Sequence, residues 1–135
     1  MNASAPEHLH WRAGWLGVGL FGVALVIYLS LVPDHPPDLG FAYADKFEHV
    51  AAYGVLAYWW MQLYPQSTRR WLIAALLIAL GVSMEYAQAW GGSRMFDPQD
   101  MVANGTGVVL AWGLAWLSGD ALLRRVEQVL RWGRS

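Results

Sequence analysis

Trp15-Leu-Gly-Val-Gly-Leu-Phe-Gly-Val-Ala-Leu-Val-Ile-Tyr28 lies inside a stretch, residues 13–33, that carries no charged side chain. A hydrocarbon core of ~30 Å is crossed by ~20 helical residues. This stretch is long enough to span a bilayer. Working outward, three further runs follow at 50–68, 71–90 and 101–119, with Glu85 as the only charge inside them. They predict an all-α polytopic membrane protein, a four-helix transmembrane bundle with short connections. Residues 1–119 form the spanning domain and 120–135 a basic tail. Only 14% of the 135 residues are charged, against about 25% in an ordinary soluble domain.

Composition also excludes several functions. A net charge of −1 is incompatible with a broad basic surface for nucleic acid. Cysteine is absent, so there is no disulfide, no thiol nucleophile and no Cys-based zinc site. Gly17-Val-Gly19-Leu-Phe-Gly22 fits G-x-G-x-x-G but falls within an apolar span, so it is no dinucleotide fingerprint.

The cations set the orientation. Arg12 precedes span 1, Arg69 and Arg70 join spans 2 and 3, and Arg124, Arg125, Arg131 and Arg134 follow span 4. Four spans put these on one side, which the positive-inside rule makes cytoplasmic. Lys46 and Arg94 remain for the other side, together with Asp34, Asp38, Asp45, Glu48, Glu85, Asp97 and Asp100. The expected setting is the bacterial inner membrane, multi-pass, with both termini in the cytoplasm. Ala42-Tyr43-Ala44 fits a signal-peptidase site but lies too far beyond a run too long for a signal peptide, so span 1 is expected to be retained.

Tryptophan is abundant, with nine residues. Trp11, Trp15, Trp59, Trp60 and Trp71 fall at the cytoplasmic ends of spans and Trp90 at an outer end, as interface anchors do. In the tail, Leu122, Val126, Val129 and Leu130 share one helical face opposite Arg124, Gln128 and Arg131. That pattern predicts an amphipathic helix on the inner leaflet. Small residues recur at Ala103, Gly107, Ala111, Ala115 and Gly119, and less strictly at Ala75, Ala79, Ser83 and Ala87. Such stripes let helices approach closely. The expectation is that they join spans 3 and 4, with homo-oligomerisation as the alternative.

Polar residues form the unusual feature. Asp45, Lys46, Glu48 and His49 open span 2, with Tyr53 one turn beyond His49. Glu85 and Gln88 share a face near the end of span 3, Arg94, Asp97 and Asp100 fill the short connection, and Asn104 follows in span 4. Glu85 lies five residues inside Trp90, roughly 7 Å deeper along the axis. Ionisable groups at that depth cost several kcal/mol each unless they pair or reach water. They must therefore face each other as a structural network or line a pocket open to the outside.

For chemistry, Asp45 and His49 at i,i+4 suggest a general acid–base couple with Glu85 beside it, the three candidate catalytic residues. Lys46 and Arg94 suggest an anion clamp, and Tyr53, Gln88, Asp97, Asp100 and Asn104 complete the candidate binding set. There is no H-E-x-x-H, and no metal or other cofactor is expected. Ser83 lacks the trailing glycine of a nucleophile elbow. The expected partners are the bilayer itself and a lipid-linked precursor or anionic headgroup.

These residues resemble the VanZ-like family of small bacterial membrane proteins. Ser30-Leu-Val-Pro33 resembles its S-L-x-P, and Asp45-Lys46-x-x-His49-x-x-x-Tyr53-x-x-Leu56 its D-K-x-x-H-x-x-x-Y-x-x-L. Glu85-x-x-Gln88, Arg94, Asp97, Asp100 and Asn104-x-x-Gly107 follow in the family's order. The resemblance implies a four-helix membrane protein. It also implies a link to low-level resistance to the glycopeptide teicoplanin, a drug that targets outward-facing cell-wall precursors.

Overall fold

The computed structural model describes residues 9–33, 40–92, 94–119 and 121–133. Asp34, Asp38 and Arg134, whose charges bear on the predicted orientation, lie outside them. Five helices follow in order: α1 (Arg12–Leu31), α2 (Ala44–Leu63), α3 (Ser67–Trp90), α4 (Pro98–Ser118) and α5 (Ala121–Trp132). Among the described residues there is no strand.

The helices α1, α3 and α4 are long and apolar enough to cross a membrane. Helix α2 has comparable length but carries Asp45, Lys46, Glu48, His49 and Gln62, and it falls short of them in apolarity. It begins six residues before the uncharged run predicted for it, so the polar motif forms its first turns rather than a loop. Pro65, which cannot donate to a helix, stands just past its end. Asp97 caps α4 by accepting from Gln99 N, with Pro98 in the first helical position.

Helix α2 is the centre of the molecule and packs most extensively on α4. Tyr53, Leu56, Ala57, Met61, Ala74, Leu77, Val108, Ala111 and Ala115 form the core. Glycine decides the α2–α4 distance. A Cβ on Gly107 would stand 2.3 Å from the Val50 carbonyl oxygen and 2.9 Å from Gly54 N, so only glycine fits there. The α4 stripe of Ala103, Gly107, Ala111 and Ala115 is thus buried, but α2 is its main counterpart. This corrects the expected stripe-to-stripe packing of spans 3 and 4. In α3 the buried face is Ala74, Leu77, Gly81, Glu85 and Gln88, whereas Ala75, Ala79 and Ser83 are exposed.

Two opposite ends emerge from the hydrogen bonds. At one end Arg70, 7% exposed, donates to the carbonyls of Met61, Ala115 and Gly119. A buried guanidinium thus satisfies carbonyls at the C-terminal ends of α2 and α4, where the helix dipoles are negative. Gln62 Nε2 also donates to Gly119 O, and Leu122 N donates to Gln62 Oε1, docking α5. Glu127 on α5 accepts from His10 N, Trp11 N and Trp15 Nε1. It places a carboxylate at the N-terminus of α1, whose own N-cap residue, Trp11, makes no side-chain capping bond. The Trp11, Trp15 and Trp59 rings pack beside it. Gly19 lies under Trp59 and Trp60, and Gly22 under Leu56, so these glycines serve packing. At the opposite end, Gln88 Nε2 donates to Ser30 O, joining the last turns of α3 and α1. The first four helices therefore alternate in direction.

Helix α5 buries Leu123 and Glu127, not the face marked by Leu122, Val129 and Leu130, which stays exposed.

Candidate functional site

The polar end gathers residues from three helices and the α3–α4 connection. Lys46, in the first turn of α2, reaches Asp97 and Asp100 at 2.5 Å each and Asp45 at 3.1 Å. Three carboxylates around one ammonium leave it no spare charge. The hydrogen-bonded Lys46 ammonium also holds the Asp97 carboxyl below the usual carboxylate range. Asp97 N in turn donates to Glu85 Oε1 at 2.5 Å, so α3 grips the start of α4. Glu85, Asp100 and Asn104 are each 2–3% exposed and form the inner part of the network.

His49 belongs to that network. Its Nδ1 lies 2.9 Å from Asn104 Oδ1, and its Nε2 lies 3.5 Å from Asp100 Oδ2. The expected Asp45/His49 couple is therefore not formed: Asp45 faces Lys46, and the groups that orient the imidazole come from α4. Asn104 can sit there because Gly81 has no side chain; a Cβ at Gly81 would lie 3.0 Å from Asn104 Cβ and Nδ2.

Beside the network is an open-mouthed cavity of about 160 Å³. Asp45, Glu48, His49, Tyr53, Gln88 and Arg94 form its polar lining. Val26, Leu29, Ser30 and Ala52 supply the remaining wall. Tyr53 is 2% exposed, and its hydroxyl has no hydrogen-bond partner among the described residues. A buried phenol with nothing to bond is costly unless a ligand or water completes it.

The ten predicted site residues thus divide. Asp45, His49, Tyr53, Gln88 and Arg94 line the cavity, whereas Lys46, Glu85, Asp97, Asp100 and Asn104 form the network behind it. The Lys46–Arg94 clamp does not form as expected, because only Arg94 reaches the cavity. Residues 12–119, four-fifths of the chain and all of the site, match the VanZ/LLP1 family. The chain belongs to the VanZ/LLP1 family. No curated protein and no solved structure matches it.

In this VanZ/LLP1 protein two contributors escaped the sequence reading. Glu48, placed in the polar layer by its sequence but given no role in the candidate site, is exposed at the cavity and i,i+3 from Asp45. Its spacing carried the signal, since i,i+3 residues share a helix face. The apolar wall from Val26 and Leu29 of α1 had no comparable signal, because both look like ordinary lipid-facing residues.

Proposed function

We propose that this VanZ-like membrane protein uses its polar end, facing outward, to engage the polar head of a lipid-linked or phosphate-bearing envelope component, and that this links it to glycopeptide susceptibility. One observation carries the reading: an open cavity at one end of the bundle combines charged residues, an unpartnered buried phenol and an apolar wall. In this reading α2 is the fourth crossing helix. The arginine-rich end lies in the cytoplasm, and α5 rests its exposed apolar face on the inner leaflet. His49, oriented by Asn104 and Asp100, is the candidate acid–base group. Arg94 is the phosphate ligand, and Lys46 and Glu85 hold the frame.

A small scaffold is the second reading, favoured by the Glu85–Asp97–Lys46–Asp100 chain, which joins α2, α3 and α4 without any ligand. Teicoplanin susceptibility of cells expressing His49→Ala and Glu85→Gln separates the two, with abundance followed by immunoblot. A site predicts loss of the phenotype for His49→Ala at unchanged abundance. Parallel loss of phenotype and protein in both variants favours the scaffold.

A further inference from the structure

The charges that line the cavity narrow the ligand. Asp45 and Glu48 face it, Arg94 is the only arginine or lysine among the described residues of the lining, and Lys46 stands behind among three acids. A purely anionic head would meet more acid than base there. A simple cation would leave the guanidinium of Arg94 without a role in binding. A zwitterion carrying a primary ammonium and a phosphate suits both: N–H donors for the carboxylates, oxygens for Arg94. Tyr53 belongs to the lining, and its unpartnered hydroxyl can donate to phosphate. Val26 and Leu29 give the methylenes beyond the head an apolar wall.

Size points the same way. At about 160 Å³ the cavity is smaller than the ~300–1,000 Å³ that encloses a drug-sized ligand. It accepts a small headgroup whose remainder stays outside. From this juxtaposition we infer that the cavity is a recognition site for a phosphoethanolamine head, carried by an aminophospholipid in the outer leaflet. The inference rests on the headgroup reading above and names its chemical class.

Native mass spectrometry of the detergent-purified full chain tests it. The protein is offered equimolar phosphatidylethanolamine, phosphatidylcholine and phosphatidylglycerol. The expected result is preferential retention of phosphatidylethanolamine over each of the others by roughly tenfold, the scale of one charge-assisted hydrogen bond. Glu48→Gln, an exposed position outside the buried network, abolishes the preference over phosphatidylcholine. Arg94→Gln weakens retention of all three lipids. Displacement by free O-phosphoethanolamine at equal concentration would show that the head alone suffices; resistance to it would show that the acyl chains contribute. Preferential retention of phosphatidylglycerol would overturn the ammonium inference while leaving a phosphate-bearing ligand intact. Equal retention of all three lipids, unchanged in both variants, would overturn the inference and the headgroup reading together.

Discussion

Glu127 is the residue on which the arginine-rich end depends. Burial alone would raise its pKa, but the backbone N–H of Trp11, the Trp15 indole and the backbone N–H of His10 favour the carboxylate and bring it below the usual value of 4.5. A carboxylate with a depressed folded pKa stabilises above its unfolded pKa and loses that contribution as pH falls through the folded value. Thermal unfolding in detergent is therefore expected to show a loss of stability that starts below about pH 4.5 and is absent in Glu127→Gln. At neutral pH the same variant should cost about 1–3 kcal/mol, the range for hydrogen bonds to a charged acceptor. Near the cavity, Gly81→Ala presses on Asn104 and displaces it from His49. A change in the chemical shifts of the His49 ring NMR signals is expected with the helical content unchanged.

At the scale of elements, the close approach of α2 and α4 is the contact to challenge. Gly107→Ala sets a methyl against the Val50 carbonyl, and a backbone group cannot swing aside as a side chain can. Overpacking of this kind costs about 1–3 kcal/mol, occasionally more. The melting temperature should fall, whereas Gly113→Ala, in open space on the same helix, should hold or raise it, since alanine is the better helix former. The helices themselves were legible because uncharged runs of about bilayer length leave few alternatives. The polar motif was legible too, since Asp45, His49, Glu85, Asp100 and Asn104 are out of place in apolar sequence. Which of them pair was not. Spacing of i,i+4 nominated Asp45 for His49, but the carboxylate that approaches it comes from α4, and no one-dimensional pattern encodes such a cross-helix register. The stripe on α4 likewise marked a close approach without naming its partner. Arg70 read as a loop cation because burial of an arginine shows only once the carbonyls around it are known.

For the whole molecule, the alternating helices make sidedness testable. On the proposed orientation, a periplasmic alkaline phosphatase reporter is active when inserted at Gly92 and inactive after Gly133, and a fluorescent protein shows the reverse. Activity at both positions would remove the crossing by α4; the crossing by α2 is removed if a reporter at Pro65, just after α2, is active together with one at Gly40, just before it.

The bond between α5 and the start of α1 also bears on how the protein is made. Glu127 and His10 are 117 positions apart, and the intervening chain holds every other helix. During synthesis the start of α1 waits until α2, α3 and α4 have been made and α5 has left the ribosome. The clasp therefore forms only once α5 has been made: a chain cut short before α5 leaves the α1 N-terminus without the Glu127 carboxylate and the Trp15 indole without this acceptor.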